Sequence, residues 1–302
     1  MEAFGWRIIF AVQAPLCVLG VIIAVWLLPD TERSTDVHFD VAGSVTLGLG
    51  ASMLLAGVNQ GPKWGWSSPL TVGLLCASVV SLVLFVRIEK RVRDPLLPLH
   101  WLRTRNVAYP VMSQTLANFA YMGGFLLAPL VLREVMEFDT SKISFVVIAR
   151  PLTFALVAPL ASLITIRVGE RAMGIVGGFC VTMSMFLFTM VDFGSNLLMV
   201  LLALGLSGAG IGIASPAMTS LVANAVDERD LGVAGAMQQL MTQMGAVFGS
   251  VVMTTVQQAS SNGESTASSF AAAFYVAMGV AVVAMILSSR VTSTPRGEPT
   301  IR

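Results

Sequence analysis

The side chains in this sequence that could do chemistry are polar groups embedded in long apolar stretches. Arg150 lies in SFVVIARPLTFALVAPLASLITIRVGER, where the 24 residues between Lys142 and Arg167 carry no other charge. A guanidinium in such surroundings is costly unless a partner or a water-filled cavity compensates it. We expect Arg150 to face a cavity, to pair with a carboxylate on another helix, or to extend outward to a polar surface. Pro151, which follows it, is expected to kink the helix.

A second group of polar residues is spaced for one face of a helix. Gln114, Asn118 and Tyr121 follow one another at i, i+4 and i+7, and Gln239 and Gln243 form another i, i+4 pair. A stripe of amides with an aromatic ring is suited to a cavity that binds amphipathic molecules. Together with the arginine, these five residues form the predicted substrate cavity. The alternative is that the amides form hydrogen bonds between helices.

The sequence shows no motif of catalytic or metal-binding chemistry. Cys17, Cys76 and Cys180 are far apart, and His38 and His100 lie near the ends of apolar segments. This pattern matches neither a disulfide framework nor a metal cluster. There is also no glycine-rich phosphate loop with its lysine and no nucleophile–base pair. We therefore expect no enzymatic activity, no cofactor and no metal site.

The composition indicates a protein embedded in a lipid bilayer. Of the 302 residues, 55% are hydrophobic and 12% are charged, and the mean hydropathy is +0.80. Soluble globular domains average about 45–50% apolar and about 25% charged residues. The formal net charge of +1 argues against a nucleic-acid partner, since such proteins carry a basic surplus.

Long apolar windows predict an all-α polytopic membrane protein with nine transmembrane helices. Each window holds about nineteen apolar residues, enough to cross a bilayer as a helix. The windows are 8–28, 41–60, 67–87, 107–132, 143–166, 172–191, 196–222, 231–256 and 270–289. The loops between them are short, so no soluble domain is expected.

The basic residues predict the orientation in the membrane. Thirteen of the 18 Lys and Arg residues lie in one alternate set of loops and the carboxyl-terminal tail, and four lie in the other set. The positive-inside rule therefore places the carboxyl terminus in the cytoplasm of a multi-pass protein of the cell (inner or plasma) membrane. An odd number of spans then places Met1 outside. Because only seven residues precede this first helix, we expect that an amino-terminal portion is missing.

Glycines at helical spacing predict close contacts between helices. The pairs are Gly208 with Gly212 and Gly245 with Gly249, each with three residues between them. Small residues at this spacing let two membrane helices approach closely. We expect them to pack helices within the chain.

Four stretches carry a resemblance to a known family. They are GWRIIFAVQAPLCVLGVIIAVWLLPDT, FDVAGSVTLGLGASMLLAGVNQGPKWGW, DPLLPLHWLRTRN and GLSGAGIGIASPAMTSLVANAVDERDLGVAGAMQQLMTQMGAVFGS. In this order they resemble the sixth helix, an extra central helix, the lead into the carboxy-terminal bundle and the penultimate pair of helices. The family is the EmrB/QacA type of fourteen-helix drug:proton antiporters within the major facilitator superfamily.

The resemblance implies a partial major facilitator fold, equivalent to helices six to fourteen. Residues 1–28 would be the last helix of the amino-terminal bundle and 29–106 two extra central helices with a cytoplasmic loop. Residues 107–290 would be the six-helix carboxy-terminal bundle and 291–302 a cytoplasmic tail. The family's first five helices would be absent.

The implied function is efflux of small hydrophobic, amphipathic or cationic compounds in exchange for protons, by alternating access. No Asp or Glu lies inside the nine predicted spans, so proton coupling cannot be placed on this chain. The alternative is a non-transporting remnant, or half of a transporter that needs a separately encoded amino-terminal half.

The turn ITIRVGERAM resembles the cytoplasmic loop motif of the superfamily. Arg167, Gly169 and Arg171 match it in kind, but Ile166 replaces the acidic residue. In the family, this loop brackets the ends of neighbouring helices. We expect either such a conformational latch or basic residues that serve only the membrane orientation.

Overall fold

The computed structural model describes residues 7–27, 40–92, 101, 103–261 and 266–292. Two compact units divide the chain, residues 1–39 and residues 40–302. The first contains a single described helix, and all other described helices belong to the second. Residues 293–302 of the predicted tail, residues 29–39 of the first predicted loop, and residues 93–100 and 102 of the predicted loop at 88–106 lie outside the described residues.

All regular elements among the described residues are helical, as the composition predicts. The α-helices are α1 (Arg7–Leu27), α2 (Val41–Trp64), α3 (Pro69–Glu89), α4 (Arg105–Glu134), α5 (Thr140–Val147), α6 (Ala149–Val168), α7 (Glu170–Thr189), α8 (Leu197–Asn224), α9 (Leu231–Ser260) and α10 (Ala267–Ser289). A short 3₁₀ turn at Glu228–Asp230 precedes α9.

Each of the nine predicted spans lies on a helical region of the described chain. Eight of these regions are long and apolar enough to cross a membrane, with α5 and α6 counted as one, and this confirms an all-α polytopic membrane protein. The remaining predicted span, 231–256, falls on α9, which has 30 residues. Helix α9, which carries Gln238, Gln239 and Gln243, is not among the eight regions, so nine is an approximate count.

Side chains that cap the first turns mark where helices begin. The Asp40 carboxylate accepts a hydrogen bond from the Gly43 amide at 2.8 Å, and the Asn196 side chain accepts one from the Leu198 amide at 3.1 Å. Such caps satisfy amides that have no partner within the helix. At Ile148, the predicted span 143–166 divides into α5 and α6. Pro151 follows in the first turn of α6, where its missing amide costs little.

The main apolar core lies among α4, α7, α8 and α10. Its large buried side chains include Leu127, Met185, Leu204 and Phe274. The rings of Phe188 and Phe274 stack with their centroids 4.8 Å apart. On the outside, α6 presents exposed leucine and isoleucine side chains, as expected for a helix in contact with lipid.

Polar contacts join α4 to α10 near their ends. The Ser113 hydroxyl donates to the Ala284 carbonyl at 2.9 Å, and the Arg105 Nε donates to the Arg290 carbonyl at 2.9 Å. The Thr292 hydroxyl donates to the Asn106 side chain at 2.6 Å. These bonds join α4, which carries the predicted stripe of Gln114, Asn118 and Tyr121, to α10 and the residues that follow it.

Candidate substrate cavity

A cavity of about 420 Å³ opens between α4, α6, α8 and α9. Its size falls in the range of about 300–1,000 Å³ that is usual for small-molecule sites. The residues that line it are Gln114, Asn118, Tyr121, Met122, Phe154, Ile211, Ser215, Thr219, Gly235, Gln238, Gln239 and Thr242. None of these described residues carries a charge.

Helix α4 presents the predicted stripe to this cavity. Gln114, Asn118 and Tyr121 all line it, and the first two side chains are buried, with exposed fractions of 4% and 7%. The Asn118 side-chain amide donates to the main-chain carbonyl of Gln114 at 3.0 Å. The Gln114 Oε1 is buried and has no hydrogen-bond partner among the residues that the structure describes. It is therefore free to accept a hydrogen bond from a bound molecule.

Helix α9 contributes one predicted glutamine and one that the spacing missed. Gln239 lines the cavity, whereas Gln243, one turn further on, is exposed and is not among the lining residues. Gln238 lines it and donates from Nε2 to the Thr219 hydroxyl of α8 at 3.1 Å. This bond fixes α9 against α8 within the wall of the cavity.

Arg150 does not line the cavity but lies behind Tyr121. Its side chain is 1% exposed, and its Nη2 donates to the main-chain carbonyl of Tyr121. The guanidinium carbon lies 3.6 Å from the centroid of the Tyr121 ring and 5.2 Å from that of Phe125. These are cation–π contacts. The side chain is thus directed inward against α4 and does not extend outward to a membrane surface.

The charge of Arg150 has no acidic partner among the described residues. Its contacts are the Tyr121 carbonyl and the two aromatic rings, and its Nε is buried without a hydrogen-bond partner. Arginine stays protonated in proteins. A positive charge that no carboxylate of the described residues neutralises therefore lies beneath one wall of the cavity.

Close contact between α6 and α8 places Arg150 and Phe154 beside the cavity. A Cβ atom on Gly208 would collide with the Arg150 carbonyl and the Thr153 hydroxyl. On Gly212 it would lie 3.3 Å from the Phe154 carbonyl oxygen. The two helices therefore approach to a distance that larger residues at these positions would prevent.

The other predicted glycine pair lies where α9 crosses α4. A Cβ atom on Gly245 would collide with the Thr115 carbonyl, and one on Gly249 would collide with the Phe119 carbonyl. This contact brings the glutamines of α9 and those of α4 to the same cavity.

The basic loop lies at the junction of α6 and α7 and does not contribute to the cavity. Gly169 separates the two helices and has a φ of 92°, a backbone conformation that residues with a Cβ atom rarely adopt. Arg167 and Arg171 are exposed on either side of it. The Ser220 hydroxyl of α8 lies 3.5 Å from the Glu170 carboxylate, a long hydrogen bond that joins this turn to α8.

Sequence spacing missed several lining residues. Ser215 and Thr219 lie four residues apart on one face of α8, and Thr242 lies four residues after Gln238 on α9, so the same helical spacing could have found them. Gln238 could also have been found from the sequence, because it directly precedes the predicted Gln239. The two form a pair of consecutive glutamines within an apolar helix.

The arrangement is suited to binding, not to covalent chemistry. The lining offers amides, hydroxyls and two aromatic rings. In the described part of the chain, no group of three His, Cys, Asp or Glu side chains could hold a metal ion, and the three cysteines are free thiols. His38 and His100 lie outside the described residues.

Comparison with known proteins points to membrane transport. The family model described as Major Facilitator Superfamily matches residues 111–301. The chain is 26% identical over 246 residues to the multidrug resistance protein Stp of Mycobacterium tuberculosis, covering 82% of this chain and 46% of that protein. It is 28% identical over 254 residues to a tetracenomycin C resistance and export protein of Streptomyces glaucescens, covering 81% and 46%. The multidrug transporter protein MdtP of Bacillus subtilis is 21% identical over 249 residues, covering 82% and 46%.

The chain thus spans about half the length of these curated relatives, 46% of each. The matched family region begins within α4 and contains the helices that surround the cavity.

Proposed function

Because the chain belongs to the Major Facilitator Superfamily, we propose that it takes part in the export of small hydrophobic or amphipathic molecules across the cell membrane. The observation that carries the proposal is the cavity between α4, α6, α8 and α9, with a buried Gln114 Oε1 that has no hydrogen-bond partner within the described ranges. The names of three relatives, which describe multidrug resistance, multidrug transport, and tetracenomycin C resistance and export, support efflux.

We place the binding site on both sides of this cavity. Gln114, Asn118 and Tyr121 of α4 would contact the substrate directly, together with Gln238 and Gln239 of α9. Uncharged amides and aromatic rings bind varied amphipathic molecules, because each can form hydrogen bonds or apolar contacts with many partners. Arg150 would act from behind Tyr121, and Gln243 would extend the polar face of α9 beyond the cavity.

The finer assignment to the EmrB/QacA type, with this chain as the carboxy-terminal part, rests on the four resembling stretches. The coverage of 46% of each relative agrees with it. The proposed division is an amino-terminal bundle helix at 1–28, central helices within 29–106, a six-helix bundle at 107–290 and a tail at 291–302. In this division the carboxyl terminus faces the cytoplasm, because the basic residues concentrate on that side.

The proposal includes proton antiport and alternating access, because the EmrB/QacA type that the four stretches resemble is a family of drug:proton antiporters. Within the described helices, Asp and Glu occur only at the first or last position, as with Glu89, Glu134 and Glu170. Glycine contacts such as that between Gly208 and α6 provide smooth surfaces along which helices could shift between two states. The loop containing Arg167, Gly169 and Arg171 would act as a latch at the cytoplasmic ends of α6 and α7.

A second candidate is half of a transporter that works with a separately encoded half. The observation that favours it is the exposure of Gln239 and Gln243 on α9. Amides on a membrane helix are expected to face protein or water and not lipid. A second bundle could cover this polar face.

Efflux measurements test the proposal and separate the two candidates. The chain would be expressed in a host that lacks its own efflux pumps, and the accumulation of the neutral dye Nile red would be measured with and without a proton uncoupler. Lower accumulation that the uncoupler restores supports transport. The double variant Gln114→Leu, Asn118→Leu should abolish the effect, whereas Gln258→Leu, at an exposed glutamine near the end of α9, should not. Unchanged accumulation would contradict transport by this chain alone and favour the second candidate.

A further inference from the structure

We propose that the cavity selects against lipophilic cations and takes neutral or anionic amphipathic molecules. This inference rests on the proposed function, since it concerns the ligand of the same cavity. Three observations carry it: the uncharged lining, Arg150 behind that lining without a carboxylate partner in the described part of the chain, and the position of its guanidinium on the Tyr121 ring.

The lining gives a cation no counter-charge. Its described polar groups are the amides of Gln114, Asn118, Gln238 and Gln239 and a few hydroxyls. Moving a cation out of water into a low-dielectric site is costly unless an opposite charge or several oriented oxygens replace the water. A neutral molecule does not carry this cost.

Arg150 adds a positive potential to the same wall. The side chain is 1% exposed, so water screens its charge poorly, and none of its contacts among the described residues is a carboxylate. Charge–charge interactions are several times stronger in a protein interior than in water. A cleft with low-dielectric walls focuses the field of such a charge toward its ligand. This potential opposes a cation and favours an anion.

The Arg150 guanidinium also covers one face of the Tyr121 ring, the aromatic group that would otherwise attract a cation. An aromatic ring attracts cations through the negative potential of its faces. The Arg150 guanidinium carbon lies 3.6 Å from the centroid of Tyr121, so one face of this ring already holds a positive charge. A ligand cation on the opposite face would place two positive charges across a single ring. Tyr121 can therefore contribute apolar contact to a ligand but little cation–π attraction.

The buried Gln114 Oε1 completes the description of the ligand. This atom lacks a hydrogen-bond partner in the described part of the chain, and an amide can also present its NH₂ group after rotation. The preferred ligand has an aromatic or aliphatic body that fits about 420 Å³ and a hydrogen-bonding group that is neutral or negative.

Binding of three matched probes to the purified full chain tests this inference. The probes share a dansyl group and a linker and differ only in a terminal acetamide, carboxylate or trimethylammonium group. Affinities would be measured by fluorescence titration in phosphatidylcholine nanodiscs. We expect the acetamide and carboxylate probes to bind at least about tenfold more tightly than the trimethylammonium probe.

Variants of Arg150 identify the source of the selectivity. Arg150→Gln should bring the affinity of the trimethylammonium probe to within about threefold of that of the acetamide probe, whereas Arg150→Lys, which keeps the charge, should preserve the original order. Arg133→Gln removes an exposed arginine at the end of α4 and should change nothing. If Arg150→Gln does not fold, the wild-type order and the Arg150→Lys variant still decide the question.

The outcomes separate this inference from the function on which it rests. Binding of the trimethylammonium probe as tightly as the other two, or more tightly, would overturn the inference and leave the cavity as a binding site. Failure of all three probes to bind would refute the cavity as a binding site, and the inference with it.

Discussion

Gln114 is the residue whose surroundings point most directly to a ligand. Its side chain is 4% exposed, and none of the described residues forms a hydrogen bond with its Oε1. A buried acceptor without a partner costs about 1–3 kcal/mol of folding free energy. A bound molecule that donates a hydrogen bond would recover part of this cost, so the residue links binding to stability.

Gln114→Met should stabilise the protein and weaken binding. Methionine has a similar volume and no unsatisfied acceptor, so we expect the free energy of unfolding to rise by about 1 kcal/mol. The affinity for the neutral dansyl acetamide probe should fall about fivefold, since one hydrogen bond is lost. Thermal unfolding and fluorescence titration measure the two effects. Gln258→Met is the matched control and should change neither. Lower stability with unchanged binding would show that Gln114 is structural.

The sequence predicted part of the cavity at this scale. Gln114, Asn118 and Tyr121 were found because one helix carries all three, and helical spacing is visible in the sequence. Thr219 on α8 was missed because the rotation of α8 relative to α4 depends on packing that no single segment encodes. The inward direction of Arg150 was likewise open, since it depends on the break between α5 and α6 at Ile148.

At the scale of elements, contacts through glycine determine where the cavity lies. Gly208 lets α8 approach the first turn of α6, and Gly245 lets α9 approach α4. The small-residue spacing predicted such contacts but could not identify which helices they join. Whether α9 crosses the membrane is also hard to judge from the sequence, because its glutamines lower its hydropathy. The structure shows a continuous helix of 30 residues at this position.

Gly208→Ala should destabilise the contact between α6 and α8. The added methyl group would collide with the Arg150 carbonyl, which belongs to the backbone and cannot move without shifting α6. We expect a loss of about 1–3 kcal/mol, measured by thermal unfolding in detergent. Gly279→Ala in α10 is the control: no atom lies within 4 Å of the added Cβ, so it should be neutral or slightly stabilising. Equal stability of both variants would contradict the close contact.

Gly169→Ala should destabilise the turn between α6 and α7 for a different reason. No atom lies within 4 Å of the added Cβ, but the φ of 92° is strained for any residue with a side chain. The expected cost is about 1–3 kcal/mol. Gly73→Ala, in an open position on α3, should not share it. If alanine at residue 169 proves neutral in thermal unfolding, the backbone of this turn does not have a positive φ at that position.

At the scale of the whole molecule, composition and charge predicted the class of protein well. The apolar windows coincide with helices because a membrane span must satisfy its own backbone hydrogen bonds, and this links sequence directly to structure. Membership in the superfamily is confirmed by the family match over residues 111–301. The packing of the helices against one another could not be predicted, because it arises from contacts such as Phe188 with Phe274 between distant parts of the chain.

The proposed orientation predicts which loops face the cytoplasm. In a background with Cys17, Cys76 and Cys180 replaced by serine, Ser141→Cys at the start of α5 should react with an impermeant thiol reagent added to intact cells. Arg171→Cys, at the start of α7, should react only after the membrane is permeabilised. Both residues are exposed, so differences in burial would not explain the result. The reverse pattern would contradict the positive-inside assignment.

The central claim is that the cavity between α4, α6, α8 and α9 binds the molecule that is moved. The most direct measurement is protection of a single cysteine, Gln239→Cys, from a thiol reagent in the same serine background, since Gln239 is exposed and lines the cavity. The account predicts that the dansyl acetamide probe slows labelling at residue 239 several-fold and leaves labelling of Gln258→Cys unchanged. Labelling at residue 239 that the probe does not slow, or equal slowing at both positions, would contradict it.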